Sequence, residues 1–133
     1  MCIKDPMPRG EYMKKILIVD DQVEIRELVD MTLKSDDYDI FQAESGQKAI
    51  EIARREKPDL IIMDVAIPRG TEGIETTRSI KNDPETKNCK VIMLTGKGLE
   101  TDRIKSLDAG ADDFFAKPFS PLALIKKVEE VLR

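Results

Sequence analysis

Three short apolar runs, Ile16-Leu17-Ile18-Val19, Leu60-Ile61-Ile62-Met63 and Val91-Ile92-Met93-Leu94, constrain the fold of this chain more than any other feature. A strand with one wet face alternates apolar and polar residues, whereas an unbroken run of this length suits a strand covered on both faces. Weaker runs at residues 39–43 and 113–116 read as two further strands. Between the runs, apolar residues recur at helical spacing: Ile25, Leu28, Val29 and Thr32, then Gly46, Ala49, Ile50 and Ala53. Ile74, Thr77 and Ile80 mark a third helix, Ile104 and Leu107 a fourth, and Leu124, Ile125, Val128, Val131 and Leu132 a fifth. Ser120 before Pro121 has the form of an N-cap followed by proline at the first helical position, where its missing N–H costs nothing.

Strict alternation of five strands and five helices predicts parallel strands joined by helical crossovers. In 133 residues this favours an α/β fold: a flavodoxin-like, doubly wound, five-stranded parallel sheet of order 2-1-3-4-5 with helices on both faces, rather than an eight-stranded barrel. Residues 1–13, which carry charges and two prolines, read as a flexible N-terminal extension without the apolar stretch of a signal peptide, and residues 14–133 as one domain. Met13 before two lysines reads as an alternative start.

The bulk numbers narrow the function classes. A net charge of −4 gives no basic surface for neutralising phosphates, so direct nucleic-acid binding is not expected. No apolar run approaches the roughly 20 residues needed to span a bilayer, so no membrane segment is expected. Cys2 and Cys89 lack zinc-ligand spacing and the chain has no histidine, which fits reduced thiols in a cytoplasmic protein.

In a doubly wound sheet, ligands gather at the carboxyl ends of the strands flanking the point where the order reverses. The first strand ends in Asp20-Asp21 and the third in Asp64, so the expected topology crowds three carboxylates. Such a cluster raises some carboxyl pKa values unless a cation is bound, and Mg²⁺ suits a few carboxylates, waters and a phosphate oxygen. Each residue alone has a plainer reading. Asp21 with Glu24 reads equally well as a helix-capping pair, Asp64 as a loop acid, Thr95 as a strand residue and Lys117 as a solvated lysine. Their joint position at the ends of consecutive parallel strands points to one site.

Through ILIVDD, DLIIMDVAIP, VIMLTGKG and GADDFFAKPF, residues 14–133 resemble the receiver domains of two-component response regulators. The resemblance implies that Asp64 accepts a phosphoryl group from a sensor histidine kinase or phosphotransfer protein. It implies Mg²⁺ on Asp21, Asp64 and the carbonyl of Ala66, with Asp20 acting through a bridging water. Lys117 would pair with the phosphoryl oxygens, Thr95 would hydrogen-bond them, and Phe114 would be the switch aromatic, working by packing because it lacks a hydroxyl. The readout surface would be residues 99–133, facing a downstream protein, with the chain a monomer or a phosphorylation-dependent dimer. Catalysis would be confined to its own phosphorylation and dephosphorylation, so it is not expected to be an enzyme on other substrates.

The chain departs from the family pattern at residues 69–73, one residue longer than usual, at Ala66, which cannot orient a water, and at Lys97, an added cation. The last two predict slow self-hydrolysis. A haloacid dehalogenase-like phosphatase would need its acids at alternate positions, whereas Asp20 and Asp21 are adjacent; a flavodoxin would need small hydroxyl residues and glycines there. A phosphorylation-independent adaptor is the other alternative. The final helix running to Arg133 reads as the end of a stand-alone protein rather than one that has lost a DNA-binding domain, and Lys126 and Lys127 read as a solvated helix face.

Overall fold

The computed structural model describes residues 13–66, 72–96, 100–117 and 119–133. Residues 1–12, most of the lengthened loop, Lys97 and Leu99 lie outside the described residues. Five strands and five helices alternate along the chain: β1 (Lys14–Val19), α1 (Val23–Leu33), β2 (Tyr38–Ala43), α2 (Gly46–Glu56), β3 (Leu60–Asp64), α3 (Glu72–Asn82), β4 (Lys90–Thr95), α4 (Glu100–Asp108), β5 (Asp113–Ala116) and α5 (Pro121–Leu132). The strands form one parallel sheet of order β2-β1-β3-β4-β5, as the alternation predicts.

The central runs are apolar throughout because successive side chains feed different cores. Leu17, Val19, Ile61, Met63, Val91 and Met93 point to one side, where Ala49, Ile52 and Ala53 of α2 and Ile74 and Ile80 of α3 cover them. Ile16, Ile18, Leu60, Ile62, Ile92 and Leu94 point to the other, under Val29 and Leu33 of α1 and Leu124 and Val128 of α5. Each fully buried aliphatic side chain contributes on the order of 1.5–3 kcal/mol of transfer free energy. Several helix ends are fixed by named groups. Ser45 caps α2 by accepting from Lys48 N–H, and Ser120 caps α5 by accepting from Ala123 N–H with proline behind it.

Some expectations need correction. Leu28, Ile104 and Leu107 are largely exposed rather than packed; α1 buries Val29 and Leu33 instead, and α4 buries only Ser106. Phe115 packs on the α1–α5 core and tilts against Phe119 at a centroid distance of 6.3 Å, while Phe114 packs on the opposite core. Lys127 is not simply solvated, because it reaches Asp113 of β5 at 3.0 Å.

Candidate functional site

Where β1 and β3 end side by side, Val19 pairs with Met63; Asp20-Asp21 follow the end of β1, and Asp64 is the last residue of β3, paired with Leu94 of β4. Parallel pairing thus puts acids 43 residues or more apart in sequence at one edge. Ligating oxygens of Asp20, Asp21 and Asp64 lie within 4.8 Å of one another, a group that could hold a metal ion. All three donors are hard carboxylate oxygens, the chemistry that suits Mg²⁺ or a similar cation. Asp20 is 2% and Asp64 7% exposed, whereas Asp21 stands open to solvent.

Asp20 is held at every polar atom. Its N–H donates to Ala43 O, extending the β1–β2 ladder, and Oδ1 accepts from Gln22 N–H at 2.9 Å. Oδ2 accepts from Lys117 Nζ at 3.0 Å, and the main-chain carbonyl accepts from Arg26 Nη1 at 2.7 Å. The Asp21–Glu24 capping pair is not among these contacts. Gln22 is the N-cap residue of α1 and makes no side-chain cap bond, while the Asp20 carboxylate engages its N–H instead.

Lys117 follows β5, and its N–H donates to Thr95 O at 2.6 Å, tying it to the end of β4. From there Nζ bonds Asp20 and stands 3.6 Å from Asp64 Oδ1. Asp64 Oδ1 also accepts from Ala66 N–H at 3.3 Å. Burial pushes the Asp64 carboxyl up from its ordinary range, and the negative charges of Asp20 and Asp21 add to this; Lys117 and the Ala66 N–H oppose it. The site is therefore short of positive charge by design of its own residues: two buried carboxylates share one lysine.

Thr95 is buried at the end of β4, and Phe114 lies two residues earlier in register on β5, opposite Met93. All the residues anticipated from the sequence therefore sit at or beside this edge, with Lys97 outside the described residues. Sequence reasoning missed Arg26 and Gly73. Gly73 N–H donates to Val65 O at 2.8 Å, and a Cβ there would lie 1.9 Å from Asp64 O. The glycine-rich loop was a signal for the second; nothing local marks the first. A cavity of about 270 Å³ adjoins Lys117, lined by Ile25, Leu28, Gly96 and Phe119. A larger cleft of about 510 Å³ opens among Lys14, Asp59, Thr86, Cys89 and Lys90, at the amino ends of the strands and away from the acids.

Residues 16–129 match the family model of the response regulator receiver domain. The phosphate regulon transcriptional regulatory protein PhoB of Pseudomonas aeruginosa is 45% identical over 120 residues, 90% of this chain and 52% of that protein. The transcriptional regulatory protein ResD of Bacillus subtilis is 44% identical over 119 residues, covering 90% of this chain and 48% of that one. This chain spans about half the length of these curated relatives. Among solved structures, the chemotaxis protein CheY4 of Vibrio cholerae superposes with a TM-score of 0.83 at 32% identity, over 90% of this chain and 99% of that one.

Proposed function

Because this chain belongs to the receiver-domain family of two-component response regulators, we propose that it is a phosphoacceptor switch acting through Asp64. The observation that carries the proposal is the convergence of Asp20, Asp21, Asp64 and Lys117 at one sheet edge. The donor is a phosphohistidine of a sensor kinase or phosphotransfer protein. An Asp64 carboxylate oxygen attacks phosphorus, the bond from phosphorus to the imidazole nitrogen breaks, and an acyl phosphate remains on the chain. Asp21, Asp64 and the Ala66 carbonyl would hold Mg²⁺, with Asp20 assisting through a water, and the cation would supply the positive charge that the transferring oxygens require. The Asp64 carboxyl, raised first by burial and then by the charges of Asp20 and Asp21, supports this assignment, since a cation seated among these oxygens would favour its ionised form.

Lys117 then exchanges its bond to Asp20 for the phosphoryl oxygens, and the Thr95 hydroxyl turns toward them. Phe114, half-buried against the α2–α3 core, follows by packing alone. The consequence is a changed surface over residues 99–133 for a downstream protein, in a cytoplasmic chain that acts on no substrate but itself. Among the described residues no helix is long and apolar enough to cross a membrane. The test is incubation with acetyl phosphate, with and without Mg²⁺, followed by mass analysis of the peptides. One Mg²⁺-dependent phosphoryl adduct on Asp64, lost in Asp64→Asn, is expected; no adduct would leave the phosphorylation-independent adaptor in its place.

A further inference from the structure

Asp20 lies one residue beyond the last β1–β2 pair, Val19–Ala43, and its N–H still donates to Ala43 O of β2. The Arg26 guanidinium, one turn into α1, takes up the Asp20 carbonyl through Nη1 at 2.7 Å. The same guanidinium donates from Nε to Gln42 Oε1 at 3.0 Å, and Gln42 Nε2 donates to Asp30 Oδ2 at 2.8 Å. Arg26, Gln42 and Asp30 are all partly buried, so this relay from α1 to β2 and back is sheltered from solvent screening.

The carbonyl that Arg26 grips belongs to the peptide joining Asp20 to Asp21. A peptide is planar, so fixing its oxygen fixes the direction in which the following Cα departs. We infer that Arg26, braced by Gln42 and Asp30, is a positioning residue for the acidic cluster: it sets the plane of the Asp20–Asp21 peptide and thereby the spacing of the two carboxylates. The inference rests on the reading of that cluster as a Mg²⁺ site. Mg²⁺ demands near-octahedral ligands at about 2.0–2.1 Å, so a rotated peptide is felt directly as weakened binding. A planar fork held at two nitrogens does this better than a single ammonium.

Calorimetric Mg²⁺ titration of the full chain, with amide spectra reading Asp21 and Gln22, tests the assignment. Arg26→Met is expected to weaken Mg²⁺ about tenfold and to shift both amides, because a charge-assisted bond is lost. Arg26→Lys keeps the charge without the fork and recovers only part of the loss. Gln42→Met, which frees the guanidinium while leaving it in place, is expected to weaken Mg²⁺ about threefold. Should Arg26→Met fail to fold, Gln42→Met decides. Lowered thermal stability with Mg²⁺ affinity unchanged in both variants would reduce Arg26 to a structural brace and overturn the inference. A native chain that takes up no Mg²⁺ would instead overturn the function proposed above, and the amide shifts alone would then judge the positioning role.

Discussion

Replacing Gly73 by alanine puts a methyl group where the backbone of the acceptor strand already stands. The added Cβ would lie 1.9 Å from Asp64 O, 2.7 Å from Val65 O and 2.9 Å from Asp64 C. Non-bonded carbons essentially never approach an atom closer than 3.0 Å, so the Asp64 carbonyl or the start of α3 must move by about 1.1 Å, from 3.0 less 1.9. None of the three contacts is a side chain that can swing aside. Overpacking of this kind costs about 1–3 kcal/mol, a fall on the order of 4–12 °C in Tm for a domain of this size. The more telling effect is on the site, since the displaced peptide carries Asp64, and Mg²⁺ tolerates little change in ligand position. Mg²⁺ affinity is therefore expected to fall at least tenfold. Gly46→Ala is the control, because its Cβ would meet Thr76 Oγ1 at 2.2 Å and Glu72 Oε2 at 3.2 Å, both side-chain atoms that can rotate. It is expected to lower Tm while leaving Mg²⁺ binding near native. Calorimetry and thermal melts on both variants decide the matter; a Gly73→Ala protein that keeps native Tm and binds Mg²⁺ within twofold of native would refute the reasoning.

Two further outcomes follow from the charges of the site. In metal-free protein the folded Asp64 carboxyl holds its proton more tightly than in the unfolded chain, so its contribution to stability declines as pH rises through the ordinary aspartate range toward the raised value. Asp64→Asn removes this penalty: urea unfolding should find it more stable than native at neutral pH, with the difference closing toward about pH 4, and a gap independent of pH would count against the assignment. Lys117→Met strips the buried Asp20 carboxylate of its ammonium partner, and the metal-free variant is expected to lose about 3 kcal/mol, part of it restored by Mg²⁺. An unchanged urea midpoint without metal would contradict that.

The sheet was legible because its three inner strands are buried on both faces, which writes them as unbroken apolar runs; Ile16 to Val19 alternate between two cores rather than between core and water. Once strand order was in hand, the meeting of Asp20, Asp21, Asp64 and Lys117 followed from where the runs end. Helix faces were less legible. A helix rotates about its axis to suit the sheet, and α4 turns small residues inward, so Ile104 and Leu107 could not be placed from spacing alone. The grip of Arg26 on the Asp20 carbonyl depends on how α1 lies over the end of β1 and β2, a tertiary fact that no local pattern encodes. The same holds for Lys127 and Asp113, fourteen residues apart on different elements.

The seating of α4 carries its own consequence. Its one fully enclosed side chain is Ser106, whose Oγ has no hydrogen-bond partner among the described residues, and Ala109 and Ala111 complete the contact. Stubs so short surrender little dispersion energy when the rod above them slides by a fraction of a turn. Ile104 and Leu107, 47% and 43% exposed, already ride outside and would be carried along rather than uprooted. On the switch proposed above, movement begun at the strand tips would re-aim this greasy edge without prising open the interior beneath it.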